Sequence, residues 1–124
     1  MEYESKINIV AFILNTPWTL LGFIFGLLSF PKNIAFRESD HAIVMRVKRL
    51  WLTEIFMGLR ARGNVIGNTL LITQNANDEI YKHECVHVRQ FERAPFIFPF
   101  LYLFELLNHG YRKNKYEEEA RKMV

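Results

Sequence analysis

The chain has 124 residues, a length that predicts one domain with a single core. Half of the residues are hydrophobic, which excludes an intrinsically disordered protein. The net charge of +3 is small and its basic residues are dispersed, so we expect no nucleic-acid partner. The single cysteine, Cys85, excludes an intramolecular disulfide and a four-cysteine metal site, and it favours a reducing compartment.

The first segment, residues 1–31, contains a long apolar stretch without any charge between Lys6 and Lys32. This length can cross a bilayer, but Pro17 interrupts it. Three arrangements remain open: one kinked span, a shallow hairpin turning at residues 15–17, or two buried core helices. If the segment associates with a membrane, the cations that follow it predict a metal-binding domain facing the cytoplasm. The alternative is a soluble cytoplasmic protein.

Residues 32–124 are predicted to form a zincin-like metal-binding domain of the α+β class. We read residues 33–40 as a connector, and the β-branched residues within 41–52 as a strand. A hairpin turn is expected at residues 62–64, and the sequence TLLIT at 69–73 predicts a further strand. The expected sheet is therefore short and antiparallel, spanning residues 41–73.

The second half of the chain reads as helical. Asn77 is a predicted N-cap with acidic residues in the first turn, and the helix must end near Pro95. The apolar residues 96–107 are expected to be split by Pro99, and to pack under this helix or dip into lipid. A turn follows at residues 108–110, and a last helix begins near Asn114.

The motif with the clearest chemistry is His83-Glu84-Cys85-Val86-His87. Two histidines four residues apart share one helix face, so both imidazoles can reach the same ion. In a metallohydrolase of this type Zn²⁺ lowers the pKa of a water molecule, and the glutamate takes its proton. We therefore predict His83 and His87 as metal ligands and Glu84 as the catalytic base. Cys85 points away from this face and is read as a core thiol.

A catalytic zinc needs a third protein ligand, and Glu117 is the preferred candidate. Ala120 follows it one turn later, which permits a close approach of the last helix. Glu117 could instead form a capping box with Asn114, and His109 is the alternative ligand. Gln90 is expected to hydrogen-bond a ligand. The other ligand candidates considered are Glu92, Glu105, Glu118 and Glu119, and the aromatic oxyanion donors considered are Tyr102, Tyr111 and Tyr116.

The segments HECVHVRQFE and GYRKNKYEEEA resemble a group of small bacterial HExxH proteins of uncharacterised function. The arrangement is similar to that of gluzincin-type zinc metallopeptidases, in which a Glu-x-x-Ala helix supplies the third ligand. The resemblance implies that Glu117 is this ligand, and Asn114 matches an asparagine of the second motif that would support the ligands. Lys115 replaces the usual proline, and Arg121 replaces an aspartate that follows the alanine in the peptidases.

These patterns predict a zinc-dependent metallopeptidase that hydrolyses peptide bonds with water activated by Glu84. The expected cofactor is Zn²⁺, and the expected partners are a peptide or protein substrate and membrane lipid. The alternative is a non-catalytic, membrane-associated zinc-binding protein that interacts with other molecules. A third reading is an interaction module that binds no metal.

Overall fold

The computed structural model describes residues 8–58 and 60–123 and has the predicted α+β composition. Within those ranges, six α-helices accompany one four-stranded sheet. The helices are α1 (Ile9–Leu14), α2 (Thr16–Leu28), α3 (Trp51–Met57), α4 (Asp78–Arg93), α5 (Phe98–Lys113) and α6 (Lys115–Lys122). The strands are β1 (Pro31–Arg37), β2 (Ala42–Val47), β3 (Gly63–Ile66) and β4 (Thr69–Thr73).

The sheet is mixed, and the prediction of a purely antiparallel sheet over residues 41–73 was wrong. Its strand order is β1-β2-β4-β3, in which β2 and β4 are parallel and the two outer pairs are antiparallel. The chain leaves β2 through α3 and reaches the far edge as β3 before it turns back into β4. The almost continuously buried β4 fits its central position, because a strand covered on both faces needs no polar alternation.

Two local predictions along the sheet also fail. Residues 33–40 were expected to be a connector, but β1 occupies most of them. Nearly all of β1 is exposed, so this edge strand carries no hydrophobic alternation to reveal it. The expected turn at residues 62–64 lies in and beside β3, and the chain instead reverses at Gly67, where φ is +65°. A positive φ favours glycine at this turn.

The two faces of the sheet carry different helices. Val44, Leu70 and Ile72 form a core cluster with Val88 and Phe91 of α4. Met45, Val47 and Leu71 point to the opposite face, against which Phe23 and Phe25 of α2 pack. The sheet therefore separates α4, which carries the metal motif, from most of α2.

The N-terminal apolar stretch forms two short helices that meet at Asn15. The Asn15 side chain is buried, donates to the Phe91 carbonyl at 3.0 Å and accepts from the Phe96 backbone N–H at 2.8 Å. This amide ties the α1–α2 junction to the end of α4. Across the described ranges, none of the helices has the length and apolar character needed to cross a membrane.

The C-terminal half follows the predicted helices with one exception. Asn77 caps α4 by accepting from the Ile80 N–H at 3.0 Å, and α4 ends at Arg93 before Pro95. Pro99 was expected to split residues 96–107, but it lies in the first turn of α5, where proline fits because no N–H partner is lost. The expected turn at 108–110 is a bend at Gly110, whose φ is +77°.

Candidate metal centre

The α4 helix presents His83, Glu84 and His87 towards one cleft. One ligand atom from each of these residues lies within 4.8 Å of the others. Glu84 and His87 are both 7% exposed, so the three groups converge in a largely desolvated environment. Such a set of two imidazoles and a carboxylate can hold a divalent cation.

The last helix brings Glu117 to the same point. Glu117 Oε1 lies 3.0 Å from His83 Nε2 and 3.2 Å from His87 Nε2, and the two Nε2 atoms are 3.3 Å apart. The Glu117 side chain is 5% exposed. These three atoms therefore form a small triangle in which each one faces the other two.

The triangle has dimensions suited to zinc. Ligands bound at 2.0–2.1 Å in a tetrahedron stand about 3.3 Å from one another. The observed separations of 3.0–3.3 Å match this spacing without rearrangement. The residues present thus fit a tetrahedral ion with three protein ligands and one open position. Of the two nearby carboxylates, Glu117 is the better third ligand, because one of its oxygens contacts both imidazoles.

Glu84 is held beside this triangle by the neighbouring strand. A Cβ built on Gly63 of β3 would come within 2.6 Å of Glu84 Cγ and 2.9 Å of Glu84 Oε1. Only glycine leaves room for the carboxylate there. Burial raises the pKa of Glu84 above its usual value, against the lowering effect of His87 and His83. A carboxylate with a raised pKa is better suited to accept a proton near neutral pH.

Gln90 orients the ring of His87. Its amide nitrogen donates to the Tyr116 carbonyl at 3.0 Å and to Glu119 at 2.6 Å, which fixes the direction of the amide. The amide oxygen then accepts from His87 Nδ1–H at 2.7 Å. Because Nδ1 carries this proton, Nε2 is the nitrogen left to bind a metal. The predicted hydrogen bond from Gln90 to a candidate ligand is present.

We expect Gln90→Leu to weaken zinc binding by about 10- to 100-fold, because His87 loses the partner that holds its tautomer and ring angle. Gln74→Leu is the matched control, since Gln74 is exposed on the turn after β4. Competition against a chromophoric chelator measures both affinities. An unchanged affinity in Gln90→Leu would show that the amide does not support the ligand.

Tyr102 anchors Glu117 from the other side. Its hydroxyl donates to Glu117 Oε2 at 2.6 Å, which leaves Oε1 directed at the histidines. Burial, with the nearby Glu117 carboxylate, raises the pKa of Tyr102 and keeps the hydroxyl protonated. The same two causes raise the pKa of Tyr111 to about 12, and Tyr111 also lines the cleft. Tyr116 packs its ring on Phe98 at 4.8 Å and has an aromatic packing role.

Asn114 supports the site through the helix that carries Glu117. Its side-chain oxygen accepts from the Tyr116 N–H at 2.9 Å and caps α6, and its nitrogen donates to the Tyr102 carbonyl at 3.3 Å. Asn114 is fully buried. Glu117 is engaged with His83, His87 and Tyr102, so its carboxylate points at the site and not back along α6 as a capping box would require.

The structure does not bring the alternative ligand His109 to the cluster. Its side chain is 54% exposed on α5, and its nearest acidic group is Glu105 at 3.9 Å. Glu105 is itself occupied, because it accepts from the Lys115 backbone N–H at 3.2 Å. Cys85 packs against the core on the α4 side of the sheet, and burial raises the pKa of its thiol to about 12.

The remaining acidic candidates also have other partners. Glu92 accepts from Arg89 at 3.2 Å and lies 2.8 Å from the buried His41. Glu119 joins Gln90 to Arg93. Glu118 is exposed on α6. Of the six third-ligand candidates, only Glu117 is placed within bonding reach of both histidines.

Sequence reasoning missed Gly63, which it read only as a turn residue. It also left Tyr102 as an aromatic of uncertain partner. No sequence signal joins Gly63 to Glu84, because their contact depends on how β3 lies beside α4. Tyr102 lies on α5 and Glu117 on α6, so their hydrogen bond depends on how these two helices pack against each other.

His87 makes metal binding dependent on pH. Burial alone would lower the pKa of His87, but the hydrogen bond to Glu117 and the charge of Glu84 outweigh it and raise the pKa to about 9. Zinc must therefore displace a proton from Nε2 at any pH below this value. We expect zinc binding at pH 7.5 to release about one proton per ion, and the apparent affinity to fall about tenfold per pH unit on acidification.

Calorimetric titration of zinc in buffers with different ionisation enthalpies measures this proton release directly. The His109→Ala variant is the matched control, because it removes an exposed histidine that lies outside the site and should release the same proton on binding zinc. An apparent affinity that stays constant between pH 8 and pH 6 would contradict the expected competition.

The centre lies in a cleft of about 1250 Å³. Its walls come from Trp18 and Leu21 of α2, from β3, and from Tyr102 and Leu103 of α5. The volume exceeds that of a usual small-molecule pocket of about 300–1,000 Å³.

Comparison of the chain with protein-family models, with curated proteins and with solved structures gives no match in any of the three. The function of this chain is therefore inferred from its own residues and their geometry.

Proposed function

We propose that the protein is a zinc-dependent metallopeptidase whose metal ligands are His83, His87 and Glu117 and whose catalytic base is Glu84. The observation that carries this proposal is the triangle of ligand atoms at 3.0–3.3 Å, with the desolvated Glu84 carboxylate beside it. The likeness to gluzincin-type peptidases noted from the sequence is part of the proposal and agrees with a glutamate donated by a separate helix.

In the proposed amide hydrolysis, different groups have different roles. A bound Zn²⁺ supplies a Lewis acid that polarises the scissile carbonyl and lowers the pKa of water. Glu84 takes the proton of the attacking water and returns it to the leaving amine. Tyr111, kept protonated in the cleft wall, is the proposed donor of a hydrogen bond to the developing oxyanion.

The position of β3 at the edge of the sheet supports the proposal that the substrate is a peptide. It pairs only with β4 within the described sheet, and its residues Gly63–Ile66 line the cleft. The free edge of such a strand can pair with an extended peptide through main-chain hydrogen bonds. Since Gly63 touches Glu84, a peptide added at this edge would pass the catalytic base. Strand β4 cannot take this role, because it lies between β2 and β3 in the sheet.

The non-catalytic alternative is favoured by one observation. Arg121 occupies the position of the aspartate found in the resembling peptidases, and it lines the cleft while donating to the Arg112 carbonyl at 2.5 Å. A cation at this position cannot act as the acid that commonly orients a ligand histidine. In this alternative the site binds zinc and the cleft binds a peptide without cleaving it.

Elemental analysis of the purified protein, followed by incubation with a quenched fluorescent peptide library, tests the proposal. We expect about one zinc per chain and cleavage that stops with a chelator and returns on adding zinc. Stoichiometric zinc without cleavage would support the non-catalytic alternative. No bound zinc, even after zinc is added, would reject both.

A further inference from the structure

In α2 the small residues face the sheet and the large aliphatic residues face outward, which is the reverse of the arrangement in a helix of a water-soluble protein. Such a helix normally turns its large apolar side chains towards the core. The buried residues of α2 are instead Thr19, Gly22 and Gly26. Its large aliphatic side chains point outward, with Leu20 59% exposed and Ile24 51% exposed, whereas Phe23 and Phe25 are half-buried against the sheet. The other outward-facing residues of α2 are Leu21, Leu27 and Leu28.

Close packing on the sheet explains why small residues form the inner face. A Cβ on Gly22 would lie 2.8 Å from the Ile66 carbonyl oxygen and 2.9 Å from Thr69 Cβ. A Cβ on Gly26 would overlap the sulfur of Met45. The helix therefore cannot rotate to bury its leucines, because only this face fits against the strands. Small residues at a close helix contact, with large apolar residues outside, are typical of proteins surrounded by lipid.

The exposed face of α2 continues onto two neighbouring helices. Trp18 contacts Phe100 of α5, with ring centroids 6.0 Å apart, and its indole N–H donates to the Phe96 carbonyl at 2.7 Å. At the other end, Phe25 stacks on Phe56 of α3 at 6.1 Å. We call the exposed residues of these three helices the apolar surface. Its further members are Ile55, Leu101, Leu103, Phe104 and Leu107.

The charged residues near the apolar surface indicate which kind of partner binds it. No residue from 8 to 31 is charged, whereas the chain just beyond α2 and α3 carries the exposed cations Lys32, Lys48, Arg60 and Arg62. The Lys48 backbone N–H donates to the Phe30 carbonyl at 3.0 Å, so Lys48 lies at the C-terminal end of α2. A second copy would bring the same cations together, while anionic headgroups would neutralise them.

We propose that the apolar surface lies in the headgroup region of an anionic lipid bilayer. This mode suits helices too short to cross, because their apolar side enters the acyl boundary while nearby cations meet the headgroups. Binding in this mode needs neither metal nor catalysis. The substrate class depends on the proposed peptidase function: because the cleft wall includes Trp18, Leu21 and Leu103, the site would take peptide segments lying at the membrane surface.

Flotation of the full chain with phosphatidylcholine vesicles, with and without phosphatidylglycerol, tests the proposal. We expect flotation that is stronger with phosphatidylglycerol and weaker in high salt. Ile24→Glu should lower the vesicle affinity by about tenfold or more, because it places a charge in the apolar boundary. Ala35→Glu is the matched control. Ala35 is exposed, and its register partner Val44 packs on the α4 side of the sheet, so this charge lies away from α2.

Ile24→Ser provides a second variant with no added charge, should the glutamate disturb folding, and we expect a weaker loss of the same kind. Absence of flotation for the wild-type chain would overturn the proposal, as would equal flotation of Ile24→Glu and Ala35→Glu. A wild-type dimer that Ile24→Glu dissociates, without any flotation, would also overturn it and assign the surface to a second copy. Zinc content is measured on the same samples, so that a failure of membrane binding can be distinguished from a failure of the peptidase proposal.

Discussion

Glu84→Gln should retain about one zinc per chain and lose peptide hydrolysis by about a thousandfold. The amide is nearly the same size as the carboxylate, so it fits the space against Gly63. It has no basic oxygen to accept a proton from water. His83, His87 and Glu117 keep their mutual contacts, because none of these depends on the Glu84 carboxylate. The rate constant for cleavage and the zinc content of the same preparation are the two measurements.

Glu79→Gln is the matched control for this result. Glu79 lies on the same helix and lines the same cleft, but it is exposed and belongs to the first turn. It should cleave at close to the wild-type rate. If Glu84→Gln cleaves as fast as this control, another group is the base, and the assignment of Glu84 is wrong. If Glu84→Gln instead loses its zinc, Glu84 is a ligand rather than a base.

Glu117→Ala should lower zinc affinity by more than about a hundredfold, which exceeds the usual effect of losing a group that only supports a ligand. The substitution removes the one oxygen that faces both Nε2 atoms and leaves two ligands on one helix. It also leaves the Tyr102 hydroxyl without its acceptor. Chelator competition and elemental analysis measure the loss, and hydrolysis should fall with it.

Two control variants accompany this experiment. Glu118→Ala removes an exposed carboxylate from the adjacent position of α6, and His109→Ala removes the alternative ligand on α5. Both should bind zinc as the wild-type chain does. Retention of zinc by Glu117→Ala together with loss in His109→Ala would exchange the two assignments and would require α5 to bend further at Gly110.

The candidate centre has the charge distribution that a bound cation would require. The pKa of Glu117 is held well below its usual value: burial would raise it, but the hydrogen bonds with His83 and His87 lower it more. The negative charge of Glu117 thus stays in place, while His87 carries a proton that a bound metal ion would replace. Tyr102 and Gln90 hold the outer sides of the two ligands. Little rearrangement is needed on binding, which favours tight binding of the ion.

Local sequence was sufficient to predict the elements that carry the centre. The Asn77 cap, the acidic first turn and the His-x-x-x-His spacing depend on residues within one or two turns of each other, and α4 has them as expected. The same is true of Asn114 and α6. Glu117 could be preferred because Ala120, which is buried, permits close helix contact. Its distance to the histidines could not be obtained in this way.

Tertiary structure alone decided the features that depend on residues distant in sequence. The parallel pairing of β2 with β4 results from the chain crossing to the far edge of the sheet, which no hydrophobic period encodes. β1 escaped prediction because an edge strand exposed on both faces has no alternation. The uncharged N-terminal stretch predicted a kinked span, a shallow hairpin or two buried helices. Only the fit of Gly22 and Gly26 against the strands turns its leucines outward, because the strands lie too close to α2 at these two positions for a larger residue.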